Sequence, residues 1–157
     1  MAQYPDNVPT GFAGDYTDFL KVKRAPDASL RLKYATIDVA DNATAGTTYG
    51  LVPFQKGFRL SYASRLYTTD LDTASNVTWN VGYMYEDTSL TSDADAFISA
   101  ISGQSAGLMT FDEEEGLVWV AAGDGWITAA LAAGPVTTAG SVSGQFVGCY
   151  DGLDASN

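Results

Sequence analysis

From Leu30 to Val39 the run LRLKYATIDV alternates in two phases. Leu30, Leu32 and Tyr34 oppose Arg31 and Lys33, and then the apolar set changes parity to Ala35, Ile37 and Val39. Two-residue periodicity marks a strand with one buried face, and a change of parity inside it predicts a bulge near Tyr34-Ala35. TYGLVPF (48–54) follows as a short strand, placed at an edge or strand end by Pro53, which has no N–H to donate. After the turn Gln55-Lys56-Gly57, FRLSYASRLY sets Phe58, Leu60, Tyr62 and Leu66 on one face and Arg59, Ser61 and Arg65 on the other. The two arginines predict a solvated or subunit-facing surface. The clearest strand is NVTWNVGYMY, whose Val77, Trp79, Val81, Tyr83 and Tyr85 share one face, as a core strand requires.

The pattern then changes. Ser92 is a good N-cap, Asp93 and Asp95 fill a first turn, and Ala94, Phe97, Ile98 and Ile101 fall at helical spacing before Gly103, which predicts a short helix over about 92–102. AGLMTF and LVWVAA flank DEEEG (112–116) and read as a hairpin. GWITAALAA (125–133) is rich in alanine, but its bracketing by Gly125 and Gly134-Pro135 favours a strand, and TTAGSVSGQFVGCY supplies the closing strand or strands. The fold class is therefore all-β: an antiparallel β-sandwich of jelly-roll type over 29–150, with one helix. Residues 1–28 keep no period and read as an irregular N-terminal arm, and 151–157 as a C-terminal tail. The arm's Tyr4, Phe12, Tyr16 and Phe19 predict that it lies on a surface, either its own domain or a neighbouring subunit.

Composition agrees with a single domain. A chain of 157 residues, 46% hydrophobic and 17% charged, can bury about 68–70% of its unfolded surface. No apolar run approaches the ~20 residues that cross a bilayer as a helix, so no membrane partner is expected. The start MAQYPDN lacks the basic and apolar regions of a signal peptide, which predicts synthesis without secretion. Charge adds more. The net charge is −11, yet all eight basic residues (Lys21, Lys23, Arg24, Arg31, Lys33, Lys56, Arg59, Arg65) lie in the first 65 positions, and from Leu66 onward there are thirteen acids and no base. The balance argues against nucleic acid, which needs clustered cations, and the division predicts early strands complementary to later ones, within one subunit or between copies.

Candidate chemistry is sparse. The chain has no histidine, which removes the commonest general base and metal ligand. Cys149, the only cysteine, has no basic residue near it in sequence to lower its pKa and reads as buried and inert. Asp93-Ala94-Asp95 begins like a calcium loop but continues Ala96, Phe97, Ile98, without the glycine and further oxygen ligands such a loop needs. Asp112 to Glu115 read as a solvated hairpin tip, and Trp79 and Trp119 as core, leaving Trp126, after Asp124-Gly125, as the tryptophan expected at the surface. No catalytic, cofactor-binding or metal-binding residue is expected, although the many carboxylates leave glycoside cleavage open.

The segments YATIDVA (34–40), GLVPFQKGFRL (50–60), Asp72-Thr73, VGYMYED (81–87), DADAFI (93–98) and TTAG (137–140), in this order, resemble small virion structural proteins of tailed bacteriophages. The resemblance spans about residues 30–150 and is made of strand and turn signatures. It implies a β-rich, non-enzymatic capsid decoration (cement) protein, without cofactor, made in the host cytoplasm. Its place would be on the outer surface of the capsid, its partners the major capsid protein and itself, as a homotrimer. Tyr4, Phe12, Tyr16, Phe19, Lys21, Lys23, Arg24, Arg59 and Arg65 are then the candidate subunit or capsid contacts. The alternative from another class is a carbohydrate-binding host-attachment module of a fibre or head spike.

Overall fold

The computed structural model of the chain describes residues 31–71, 77–103, 105–111, 113, 116 and 118–150. Nine strands run through them: β1 (Arg31–Val39), β2 (Thr48–Phe54), β3 (Phe58–Leu60), β4 (Arg65–Thr68), β5 (Thr78–Tyr85), β6 (Asp93–Ser102), β7 (Gly107–Thr110), β8 (Gly125–Ala133) and β9 (Gly140–Tyr150). One sheet has the order β1-β9-β4-β7, with β3 also paired to β9, and the other β2-β8-β5-β6. Every one of these pairings is antiparallel. With short β3 set aside, the eight remaining strands pass between the sheets in jelly-roll order. The expectation of an all-β sandwich holds.

Alternating side chains fill the space between the sheets. Ala35, Ile37 and Val39 of β1, Val142 and Phe146 of β9, and Trp79, Val81 and Tyr85 of β5 are buried in one core. Trp119 closes one end, stacked on Tyr83 with ring centroids 4.8 Å apart and edge-on to Phe54 and Phe97 at 5.2 and 5.3 Å. The predicted strand from Phe58 to Tyr67 is divided by a turn. Ser64 N–H donates to Ser61 O at 2.9 Å, and the Ser64 hydroxyl accepts from Val147 N–H at 2.9 Å, so β3 and β4 follow one another along the same side of β9. Phe58, Leu60 and Leu66 all remain buried across this turn.

Four sequence expectations are corrected. The segment predicted as a helix over 92–102 is strand β6, laid along β5 with register shifts on both sides of Val81. Ser92 Oγ accepts from Tyr85 N–H at 3.0 Å, and Asp93 Oδ1 from Asp95 N–H at 3.2 Å, so both turn-forming side chains serve a strand entrance. Val81 faces Ile98 while Tyr83 faces Asp93, so β6 carries extra residues against β5, which spreads its apolar positions and imitates helical spacing. The unpaired edge of β5 decides the outcome over local propensity.

The hairpin expected across 112–116 is not found among the described residues. β7 pairs with β4, whereas Gly116 and Val118 are helical, and Ala121 instead exchanges backbone hydrogen bonds with Gly57 and Phe58 at 2.8 Å each. Trp126 is buried, lying between Pro53 of β2 and Met84 of β5 in the register. Finally, β1 has no bulge: its register with β9 runs unbroken from Arg31↔Gly148 to Val39↔Gly140. With Ala35, Ile37 and Val39 turned inward, Leu32 and Tyr34 must turn outward.

Candidate functional site: the outer face of the five-stranded sheet

The unbroken β1–β9 register creates an apolar surface. Tyr34 is 70% exposed and Leu32 49%, both on the side of the sheet that faces away from the core. β9 carries the pattern across, because Gln145 stands between Tyr34 of β1 and Arg65 of β4, and Ser143 between Thr36 and Tyr67. β7 continues it, with Leu108 opposite Tyr67 and Thr110 opposite Arg65. Tyr67 is 47% and Leu108 56% exposed. Tyr34, Arg65, Tyr67, Leu108, Ser143 and Gln145 line a shallow hollow of about 300 Å³. Three inter-strand steps of about 4.8 Å give this face a width of roughly 14 Å.

Single exposed apolar residues are ordinary, but four on one sheet face, two of them aromatic, are the composition of a contact surface. Polar side chains hold its middle: the Thr36 and Ser143 hydroxyls lie 3.1 Å apart. Arg65 is exposed at the centre and Arg59 farther along, opposite Cys149 in the β3–β9 ladder. Cys149 is therefore half-buried beside a cation and not sealed in the core as the sequence suggested.

Acidic groups gather elsewhere. Asp93, Asp95, Ser99 and Glu113 border a second open hollow, of about 280 Å³, on the flank made by β6. Here Ser99 Oγ donates to Asp95 Oδ2 at 3.3 Å, and Glu113 N–H to Phe97 O at 3.3 Å. Among the described residues no group of three His, Cys, Asp or Glu side chains converges as a metal-binding set. Glu86 follows β5, and its N–H donates to Asp124 O at 3.0 Å. Burial, and secondarily the Asp124 charge, push its carboxyl above the usual range. Asp87 is held below that range by hydrogen bonds from Ser89, whose N–H lies 2.9 Å from Oδ1. Neither carboxylate lines either hollow.

Of the contact residues expected from sequence, Arg59 and Arg65 lie on the outer face and are exposed. Tyr4, Phe12, Tyr16, Phe19, Lys21, Lys23 and Arg24 lie outside the described residues, as do the proposed arm and tail. The structure adds Leu32, Tyr34, Tyr67 and Leu108. For Leu32 and Tyr34 the signal was present as a second apolar phase in LRLKYATIDV, which fits a strand with two apolar faces as well as a bulged strand with one.

No protein-family model matches the chain, and no curated protein matches it in sequence. Solved structures do. The fold is similar to a chain in the capsid of Ralstonia phage GP4, with a TM-score of 0.62 at 15% identity, over 83% of this chain and 92% of that one. It is also similar to a chain in the capsid asymmetric unit of cyanophage Pam1, with a TM-score of 0.57 at 21% identity, over 78% of this chain and 85% of that one. At these identities the likeness is one of fold. Among the described residues no helix is long and apolar enough to cross a membrane.

Proposed function

We propose that the chain is a non-enzymatic structural component of a phage virion, and within the virion a decoration subunit bound to the outside of the major capsid lattice. The observation that carries this reading is the match of its jelly roll to chains from two phage capsids over most of both partners' lengths. A likeness that takes in 92% of one chain and 85% of the other is a likeness to a whole small subunit, which favours an accessory role over one domain of a larger shell protein. The exposed apolar face agrees with a protein that works by assembly. On this reading the partners are the major capsid protein and further copies of the chain, as a homotrimer, and residues 1–28, with Tyr4, Phe12, Tyr16, Phe19, Lys21, Lys23 and Arg24, are further contacts. The test is to mix the purified chain with phage shells lacking it and sediment them. Saturable binding at a fixed ratio to the shell protein is expected, and absence from both the shells and the native particles would overturn the reading.

One observation favours a second reading, a glycan-binding attachment module. Tyr34 and Tyr67 present exposed rings beside Gln145 and Arg65, an arrangement on which a sugar can stack and hydrogen-bond. Leu32 and Leu108 on the same face weigh against it, since aliphatic side chains give a sugar hydroxyl no partner. Binding to host-surface polysaccharide that is lost in Tyr34→Ala and Tyr67→Ala would establish this alternative.

A further inference from the structure

We infer that the outer face of the five-stranded sheet binds a second copy of the chain head to tail, on the acidic flank formed by β6 and Glu113. The inference rests on the reading of the chain as an assembly subunit and names the partner of its exposed face.

Charge selects the orientation. The face combines Leu32, Tyr34, Tyr67 and Leu108 with the cations Arg59 and Arg65. Docking it on itself would gather the arginines of both copies into one desolvated patch, which is repulsive. A neighbour offers a better surface. From Leu66 onward the chain has acids and no base, and among the strands β5 to β9 only β6 carries them, at Asp93 and Asp95. Asp93, Asp95 and Glu113 concentrate that charge around a hollow close in volume to the one on the face, about 280 against 300 Å³. Arg65, exposed and outside any ion pair among the described residues, supplies the opposite charge at the centre of the apolar patch.

β6 is the outermost strand of its sheet, so its flank and the broad face of the other sheet are two different surfaces of the chain. A contact between two different surfaces of one chain is heterologous, and copies so joined form a ring when the rotation between them closes. The carboxylates would meet Arg65 within the apolar patch, where a charge pair fixes partner and register.

The test uses the full chain in sedimentation and light scattering, with circular dichroism and the melting temperature as folding controls. The wild type is expected to form a closed oligomer. Arg65→Glu should weaken it about tenfold or more, and adding Asp95→Arg should recover most of that loss. In a Cys149→Ser background, mixing a Tyr67→Cys chain with an Asp95→Cys chain under oxidation should give the mixed disulfide in preference to the Tyr67→Cys homodimer. A monomeric wild type at about 100 μM, an oligomer indifferent to Arg65→Glu, or dominance of the homodimer disulfide would each overturn the contact; the same holds if the face variants lose only glycan binding. Shell binding is read separately. A monomer that still binds shells overturns this contact and leaves the decoration reading standing, whereas an oligomer that ignores shells does the reverse.

Discussion

Tyr67 of β4 stands directly opposite Leu108 of β7 on the outside of the sheet, while their sequence neighbours Leu66 and Met109 stand opposite each other on the inside. The first pair is about half exposed and the second is buried. Two adjacent cross-strand pairs thus differ in burial: the inner pair belongs to the core and the outer pair is open to a partner. Replacing Tyr67 or Leu108 by Ser should cost only about 0.2–1 kcal/mol of stability, the worth of an exposed cross-strand pair. Leu66→Ala or Met109→Ala should cost about 2–5 kcal/mol, because each leaves a cavity in the core. Urea unfolding of the four variants checks the contrast, and equal losses would mean that the outer pair is part of the core.

Gly82 decides how β5 and β6 meet. A Cβ at this position would collide with the backbone carbonyls of Asp93 and Ala94. Gly82→Val should therefore destabilise by about 2 kcal/mol or more and loosen β6, seen as faster hydrogen exchange at Ile98 and Ile101 than at β9. A variant as stable as wild type would contradict the close approach.

The strand content was legible from alternation alone: β5, with five apolar residues in phase, and β8, bracketed by Gly125 and Gly134-Pro135, lie where the pattern placed them. β6 was not legible. Its bulged register against β5 moves Phe97, Ile98 and Ile101 off a two-residue period, and the Ser92-Asp93 pair that caps helices also forms strand-entry turns. The candidate site was half legible. Arg59 and Arg65 were assigned to an outer face by their own alternation, whereas Tyr34 became an outer residue only through an unbroken register with β9, a partner more than a hundred residues away in sequence. Long-range pairing of this kind leaves no local trace. Trp126 was misplaced for a similar reason: Pro53 and Met84, which flank it in the sheet, are remote in the chain.

Ala100 in β6 has φ +50, a left-handed conformation in which its Cβ is strained. Its N–H donates to Asn80 Oδ1 at 2.8 Å, which fixes the kink. Ala100→Gly should stabilise the chain by about 0.5–1 kcal/mol, the relief of strain less the added freedom of the unfolded state. Asn80→Ala should lose stability, by about 1 kcal/mol. Thermal unfolding separates the two, and a loss in Ala100→Gly would remove the strain argument.

Glu86 makes stability depend on pH. Burial, with the Asp124 charge second, raises its pKa above the ordinary 4.5, so the folded state holds this proton more tightly than the unfolded state. Its favourable contribution is complete below the unfolded value and is lost as pH rises through the folded one. Above that, the charged carboxylate opposes folding. Glu86→Gln should then be more stable than wild type near pH 7, with the gain shrinking as pH falls toward 4.5. Urea midpoints at the two pH values measure this, and a gain that grew on acidification would reverse the assignment.

Membership of the virion, as a separate subunit on the outside of the shell, is the central claim. The most direct measurement is a cryo-EM reconstruction of the particle whose genome encodes the chain. The predicted result is density for the nine-strand jelly roll repeated over the exterior of the capsid lattice, with the face carrying Tyr34, Tyr67 and Leu108 buried in contacts. A shell with no such density, or the jelly roll confined to a fibre with that face open to solvent, would contradict it.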